Sequence, residues 1–197
     1  MGSERVGRFY DRHAPIYDVT RRFFLPGRRR AVDLLEIRPW HRVIEFGCGT
    51  GTNLARIVAA GAADVVGVDL APAMLREAAR KVPAARLVEA DMARVELGHV
   101  ADRVLFSYAL SLLDDWEAAL DNARRHLAPD GVCVVVDFQP LRGSARGANR
   151  LARAWFRRFH VRTDLPLADA IDARFARVHV ESPRWGYATI VRGAARL

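Results

Sequence analysis

Glu45-Phe46-Gly47-Cys48-Gly49-Thr50-Gly51 is the stretch that decides how this chain folds. The strand-like run Arg42-Val43-Ile44 precedes it, and a helical pattern from Asn53 to Ala60 follows. A strand that breaks into a glycine-rich turn and then a helix is how α/β folds hold nucleotide-like cofactors. Glycines let the backbone approach a ligand closely, and the helix N-terminus presents free N–H groups. The dinucleotide fingerprint wants glycines at its first, third and sixth places. Here the sixth place is Thr52, the glycines fall at the first, third and fifth, and an acid stands two residues before the first.

Working outward, strands and helices alternate. The pattern predicts a strand over His41–Phe46 and a helix over Thr52–Ala60, then a strand over Asp64–Val68 and a helix over Pro72–Val82 that opens on proline. Further strands are predicted at Arg86–Glu89 and Arg103–Ser107, a helix at Asp114–Leu127, and a strand at Gly131–Phe138 introduced by the turn Pro129-Asp130-Gly131. Runs such as Val132 to Val136 suit strands buried on both faces, and the alternation implies right-handed βαβ units. A long connection, Gln139 to Asp172, leads to two final strands, Phe175–Glu181 and Trp185–Val191, joined at Ser182-Pro183-Arg184. Before the glycine turn, the aromatics Phe9, Tyr10 and Tyr17 recur at helix-like spacing, and Gly27 to Ile37 places Ala31, Leu34 and Leu35 on one helical face.

A chain of 197 residues suits one domain with a full α/β core. Its apolar runs are too short to span a bilayer, and Met1 to Arg12 is polar and unlike a signal peptide. Two cysteines in core segments suggest no disulfide framework, so a cytoplasmic protein is expected. The formal net charge of +8 comes almost wholly from arginine, since Lys81 is the only lysine. Such charge reflects coding bias or attraction to an anionic partner. Arg21, Arg22, Arg28, Arg29 and Arg30 form one cluster, and Arg150, Arg153, Arg157 and Arg158 flank Leu151, Trp155, Phe156 and Phe159 on a predicted amphipathic helix. A basic helix with tryptophan and phenylalanine suits either a membrane interface or an ordinary cap with solvated arginines.

Several positions carry chemistry. Asp69 ends Val65-Val66-Gly67-Val68-Asp69, where an acid at a strand tip accepts hydrogen bonds from ribose hydroxyls. No histidine pair or Cys-x-x-Cys has metal-ligand spacing, so no metal is expected. No Gly-x-Ser-x-Gly elbow supports hydrolysis.

The Glu-x-Gly-x-Gly-x-Gly pattern resembles motif I of the class I S-adenosylmethionine (SAM)-dependent methyltransferases. Glu89-Ala90-Asp91-Met92, Phe106-Ser107-Tyr108-Ala109-Leu110-Ser111-Leu112-Leu113-Asp114-Asp115-Trp116 and Leu127-Ala128-Pro129-Asp130-Gly131 resemble the later motifs, in order, from about His41 to Phe138. The resemblance implies a Rossmann-like three-layer sandwich whose mostly parallel seven-stranded sheet ends in an antiparallel hairpin. It implies one domain over residues 1–197: lid helices at 1–38, a cofactor-binding core at 39–138, a substrate cap at 139–173 and the hairpin at 174–197. It further implies that SAM and its product S-adenosylhomocysteine (SAH) are held by Tyr17, Glu45, Gly47, Cys48, Gly49, Gly51, Asp69, Leu70, Met74, Asp91, Met92 and Ser107. Asp91 would bond the adenine amino group, with Met92 packed on the ring.

What the chain lacks narrows the acceptor. The Asn/Asp-Pro-Pro-aromatic motif of base-amine and glutamine methyltransferases is replaced by Tyr108-Ala109-Leu110-Ser111, and neither Cys48 nor Cys133 is placed to add to a cytosine ring. Nucleic acid is therefore not the expected partner. Phe9-Tyr10-Asp11-Arg12-His13-Ala14-Pro15-Ile16-Tyr17-Asp18 is similar to the lid of quinone, phospholipid and betaine-lipid methyltransferases. Methyl transfer to an amino nitrogen of a lipid headgroup or small amine is the leading expectation, with Tyr108, Tyr17 and His13 as catalytic candidates and peripheral contact with an anionic membrane. O- or C-methylation of a natural product or quinone is the alternative, and a SAM-binding module without catalysis is the non-enzyme one.

Overall fold

The computed structural model describes residues 25–140, 161–183 and 187–195 of the chain. The lid aromatics Tyr10, His13 and Tyr17, the arginines at 21, 22, 150, 153, 157 and 158, and Trp155 and Phe156 lie outside the described residues. The expected helices over residues 1–24 and 150–159 therefore stay expectations.

The described elements run α1 (Arg28–Asp33), β1 (Arg42–Phe46), α2 (Thr52–Ala59), β2 (Asp64–Asp69), α3 (Pro72–Lys81), β3 (Arg86–Glu89) and β4 (Ala101–Ser107). A 3-10 turn (Leu110–Leu112), α4 (Trp116–Arg125), β5 (Leu127–Phe138), α5 (Leu167–Arg174), β6 (Ala176–Glu181) and β7 (Ala188–Ala194) complete them. The strands form one seven-stranded sheet in the order β3-β2-β1-β4-β5-β7-β6. β1 pairs in parallel with both β2 and β4, Val43 lying between Val65 and Arg103. β7 enters antiparallel between β5 and β6. This is the α/β sandwich with a terminal antiparallel hairpin that the sequence implies.

Pleating sends alternate residues to opposite faces, and each face has its own core. Ile44, Phe46, Val104, Phe106, Cys133 and Val135 pack under Leu120 of α4 and Ile171 of α5. Val43, Val65, Leu105, Val134 and Val136 pack under Ala31 of α1 and Leu54 and Ile57 of α2. Phe46 and Phe106, neighbours across β1 and β4, stack at 5.4 Å and are wholly buried. Full burial of such a side chain stabilises by about 1.5–3 kcal/mol. The doubly covered sheet leaves the strand tips as the place where a ligand can enter.

Two local expectations are corrected. Pro129-Asp130-Gly131 does not precede the strand; β5 begins at Leu127 and runs through it. Ala101 pairs with Leu127 and Arg103 with Val132, so the residues between Leu127 and Val132 bulge out of register. The turn chemistry is present, but pairing on both sides of it keeps one strand. The connection after β5 also holds a helix, α5, where the sequence pattern showed none. Leu167, Ala170 and Ile171 are buried, and Arg174 bonds Asp121 of α4 at 2.6 Å. A helix of little more than two turns leaves too weak a period to read from sequence.

Candidate functional site

The site begins where β1 ends. Gly47, Gly49 and Gly51 have φ of 73°, 53° and 76°, the left-handed region that side chains avoid. Their reasons differ. A Cβ on Gly47 would lie 2.5 Å from Ala109 Cβ and 3.2 Å from Met92 Cε, so this glycine lets three chain segments meet. A Cβ on Gly51 would press on Ala78 of α3, which makes Gly51 a packing glycine. Nothing lies within 4 Å of a Cβ on Gly49, so its backbone faces open space.

The tip of β2 meets this turn. Gly49 N–H donates to Asp69 Oδ2 at 2.7 Å, and Ala71 N–H donates to Oδ1 at 3.0 Å. A carboxylate that accepts two backbone bonds is oriented before any ligand arrives.

The crevice over the tips of β1, β2 and β4 encloses about 760 Å³ counting its open mouth. It sits where the chain order reverses, β2 to one side of β1 and β4 to the other. Of the predicted cofactor residues, Gly47, Cys48, Gly49, Asp69, Leu70, Met74, Met92 and Ser107 line it, as does the catalytic candidate Tyr108. Glu45, Gly51 and Asp91 do not form its wall, and Tyr17 and His13 lie outside the described residues.

Glu45 lies beneath the glycine turn, where Asn53 Nδ2–H donates to Oε1 at 2.7 Å while Oε2 has no partner. Burial pushes its carboxyl up to about 7, against the Asn53 bond and the nearby Arg28 charge. Asp91 turns to its own loop: Oδ1 accepts from Ala93 N–H at 2.9 Å and Oδ2 from Arg94 at 2.6 Å. Met92 is the member of that pair that reaches the crevice.

The β4 side is tethered differently. Tyr108 follows the strand with φ of 56°, its ring packs on Phe138 at 4.6 Å, and its hydroxyl donates to the Pro26 carbonyl. The hydroxyl of this catalytic candidate holds the approach to α1. Burial and the nearby Asp137 charge push the Tyr108 phenol far up, and burial does the same to the Cys48 thiol, so both stay protonated at neutral pH. Asp137, wholly buried, accepts from Ser111 N–H at 3.0 Å and Phe138 N–H at 2.8 Å. Burial raises its carboxyl to about 6.

Sequence reading missed Arg28 and Leu25 as wall residues. Arg28 sat within an arginine run read as surface charge, yet its Nε is buried with no hydrogen-bond partner among the described residues. Ser107 Oγ is likewise buried and unpartnered. Buried polar groups left unmatched in the protein are the ones a ligand can satisfy.

A parallel-edged sheet with β7 inserted antiparallel and a glycine crevice at the β1/β4 reversal defines a Rossmann-like methyltransferase fold. Residues 43–131 match the family model described as a methyltransferase domain. The chain is 37% identical over 157 residues to the demethylmenaquinone methyltransferase of Thermus thermophilus, covering 74% of this chain and 70% of that protein. It is 32% identical over 133 residues to the dTDP-4-amino-2,3,4,6-tetradeoxy-D-glucose N,N-dimethyltransferase of Saccharopolyspora spinosa, covering 62% of this chain and 53% of that protein. In fold it is similar to the N-methyltransferase NodS of Bradyrhizobium japonicum WM9 in complex with SAH, with a TM-score of 0.74, 16% identity and 96% and 98% of the two chains covered. The chain belongs to the class I SAM-dependent methyltransferases of small-molecule type.

Proposed function

We propose that the crevice holds SAM with its ribose on Asp69, its methionine carboxylate on Arg28 and its base beside Met92, and that the methyl group passes to an amino nitrogen of a lipid headgroup or small amine. The observation that carries the cofactor reading is Asp69, a carboxylate fixed at the crevice by Gly49 N–H and Ala71 N–H. The unpartnered Arg28 Nε supports the second contact, because a guanidinium is the group that matches a carboxylate in two-point geometry.

SAM supplies a methyl group already activated by its sulfonium charge. The chain then has to orient and exclude water. Gly47 brings Ala109 and Met92 together so that the floor of the crevice is closed, and Leu25, Leu112 and Leu113 make its acceptor side apolar. Holding donor and acceptor in line supplies a large share of the rate acceleration. Tyr108 and Cys48, kept protonated by burial, are in no state to remove a proton, and a neutral amine asks for no strong base.

C-methylation of a quinone is the second reading. It is favoured by the 37% identity to a demethylmenaquinone methyltransferase. Incubation of the protein with methyl-labelled SAM and, separately, phosphatidylethanolamine vesicles, a soluble amino sugar nucleotide and a demethylated menaquinol separates the two. Label on nitrogen supports the leading reading; label only on the quinone ring replaces it with the second.

Arg29 and Arg30 are exposed on α1, and Arg30 is paired with Glu181 of β6 at 2.7 Å. No helix among the described residues is long and apolar enough to cross a membrane. Peripheral docking on anionic lipid would draw roughly 1 kcal/mol from each basic side chain near the surface. Co-sedimentation with phosphatidylserine vesicles at low salt tests it; absence of binding there points to a soluble acceptor.

A further inference from the structure

We propose that Asn122, which does not touch the crevice, is the positioning residue that sets the wall against the cofactor's purine, by gripping the loop that carries Met92. The inference rests on the SAM reading above.

α4 packs its Asn122 face inward, and Asn122 is 1% exposed. A side-chain amide has two hydrogens, and both are spent on one loop. Nδ2 donates to the Met92 carbonyl at 2.9 Å and to the Val95 carbonyl at 3.0 Å. Its Oδ1 accepts from Arg125 at 3.1 Å, so the amide orientation is fixed from the opposite side. His126, one turn along, adds a third hold: Leu97 N–H donates to Nε2 at 3.2 Å. That assignment leaves the proton on Nδ1, which lies 2.9 Å from the Asn122 carbonyl and donates to it. Two adjacent helical turns thus grip backbone positions 92, 95 and 97 through side chains that are themselves buried.

The loop's other holds are its own turn, the burial of Ala93 in the core and the Arg94–Asp115 ion pair at 3.7 Å. Between β3 and β4 it makes a turn in which Arg94 N–H and Val95 N–H donate to the Asp91 carbonyl and Ala93 N–H to the Asp91 side chain. Those bonds fix the turn internally, and Ala90 N–H ties its start to the Asp69 carbonyl of β2. The Asn122 bonds tie it to α4, and they begin at Met92, whose side chain lines the crevice with its Cε 3.2 Å from where a Gly47 Cβ would stand. A shift of the Met92 carbonyl therefore becomes a shift of the crevice wall on the β3 side, beyond the ribose carboxylate Asp69. Replacing Asn122 leaves two half-buried carbonyls without their protein donors, a change the loop relieves by moving outward toward water.

The prediction concerns selectivity as well as affinity. In the SAM reading the polar groups this loop can offer the purine edge are those of the Met92 backbone, so a loop held in place distinguishes an adenine amino edge from its 6-oxo counterpart and a displaced one does not. Dissociation constants of SAH and of S-inosylhomocysteine are measured by calorimetry for the wild type and for Asn122→Leu, a substitution of similar size without donors. Asn122→Leu is expected to weaken SAH at least tenfold and to shrink the SAH-to-inosine affinity ratio at least threefold. His126→Ala keeps both Asn122 bonds to the loop, removes the Leu97 hold together with the Nδ1 bond to the Asn122 backbone carbonyl and the ring contact with Phe46, and is expected to move the same ratio in the same direction by less. It serves as the deciding variant if Asn122→Leu does not fold. A folded variant with weakened SAH binding but an unchanged ratio reduces Asn122 to a stability residue and overturns the inference, as does unchanged SAH affinity. Failure of the wild type to bind SAH at all refutes the cofactor reading instead.

Discussion

The two sides of the crevice are built by different means. The β1–β2 side is short-range: Asp69 takes one hydrogen bond from Ala71, two residues on, and one from Gly49 in the neighbouring turn. The β4 side depends on distant partners, Tyr108 holding Pro26 and Asp137 holding Ser111. One side is a local motif that folds with its own strands. The other is assembled only when the whole sheet is complete, and it depends on the segment that enters α1. Among the crevice-wall residues, Arg28 Nε and Ser107 Oγ are buried with no partner among the described residues, and both belong to this second side; Glu45 Oε2, equally unmatched, lies beneath the first side and outside the wall. The cofactor side is thus preorganised, and the far side leaves polar groups for a ligand to complete.

The largest expected effect comes from the residue where both sides meet. Gly47→Ala puts a Cβ 2.5 Å from Ala109 at a φ of 73°. Left-handed strain of about 1–2 kcal/mol adds to an overpacking cost of about 1–3 kcal/mol. Thermal unfolding and SAH calorimetry should both register it. A variant with wild-type melting temperature and affinity would show that the two sides do not meet there.

Beneath the glycine turn, Glu45 makes stability depend on pH. Its folded value of about 7 lies above the ordinary 4.5, so between those values the folded chain keeps a proton that the unfolded chain releases. Stability therefore falls as pH rises through that window, by up to about 3 kcal/mol. Asp137, raised from 3.8 to about 6, acts in the same direction on the other side. Glu45→Gln keeps an oxygen for Asn53 and removes the ionisation. Melting curves from pH 5 to 8 should be flatter for the variant, with the residual slope assigned to Asp137. Equal slopes would place the Glu45 pKa near its ordinary value.

Tyr108→Phe should be the mildest change. Losing the bond to Pro26 costs about 1 kcal/mol, and hydrogen exchange over residues 25–28 should quicken. Asp69→Ala should leave exchange there untouched. If both variants loosen residues 25–28 alike, the contrast between a local side and a tethered side is lost.

This contrast also explains what the sequence made legible. Glu45 to Gly51, Asp69 and Pro72 lie in local patterns whose spacing prescribes strand, turn and helix, and β1, α2, β2, α3 and β3 stand within a residue or so of their predicted bounds. Gly51 carries the motif's spacing but serves packing against Ala78, a distinction that needs the neighbour's coordinates. Arg28 reads as one more surface arginine because nothing local says that its Nε is buried. Tyr108 has the right place in its motif, yet the direction of its hydroxyl is set by Pro26, 82 positions earlier. Asn122 belongs to no motif; its role follows from which loop α4 packs against.

Calorimetric titration of SAH into the wild type and Asp69→Ala, with NAD as the competing ligand, tests the central claim most directly. The account predicts that the wild type binds SAH in preference to NAD, and that Asp69→Ala stays folded but weakens SAH by about 1–3 kcal/mol, roughly tenfold to a hundredfold. Unchanged SAH affinity in the folded variant, or preference of the wild type for NAD, would contradict it.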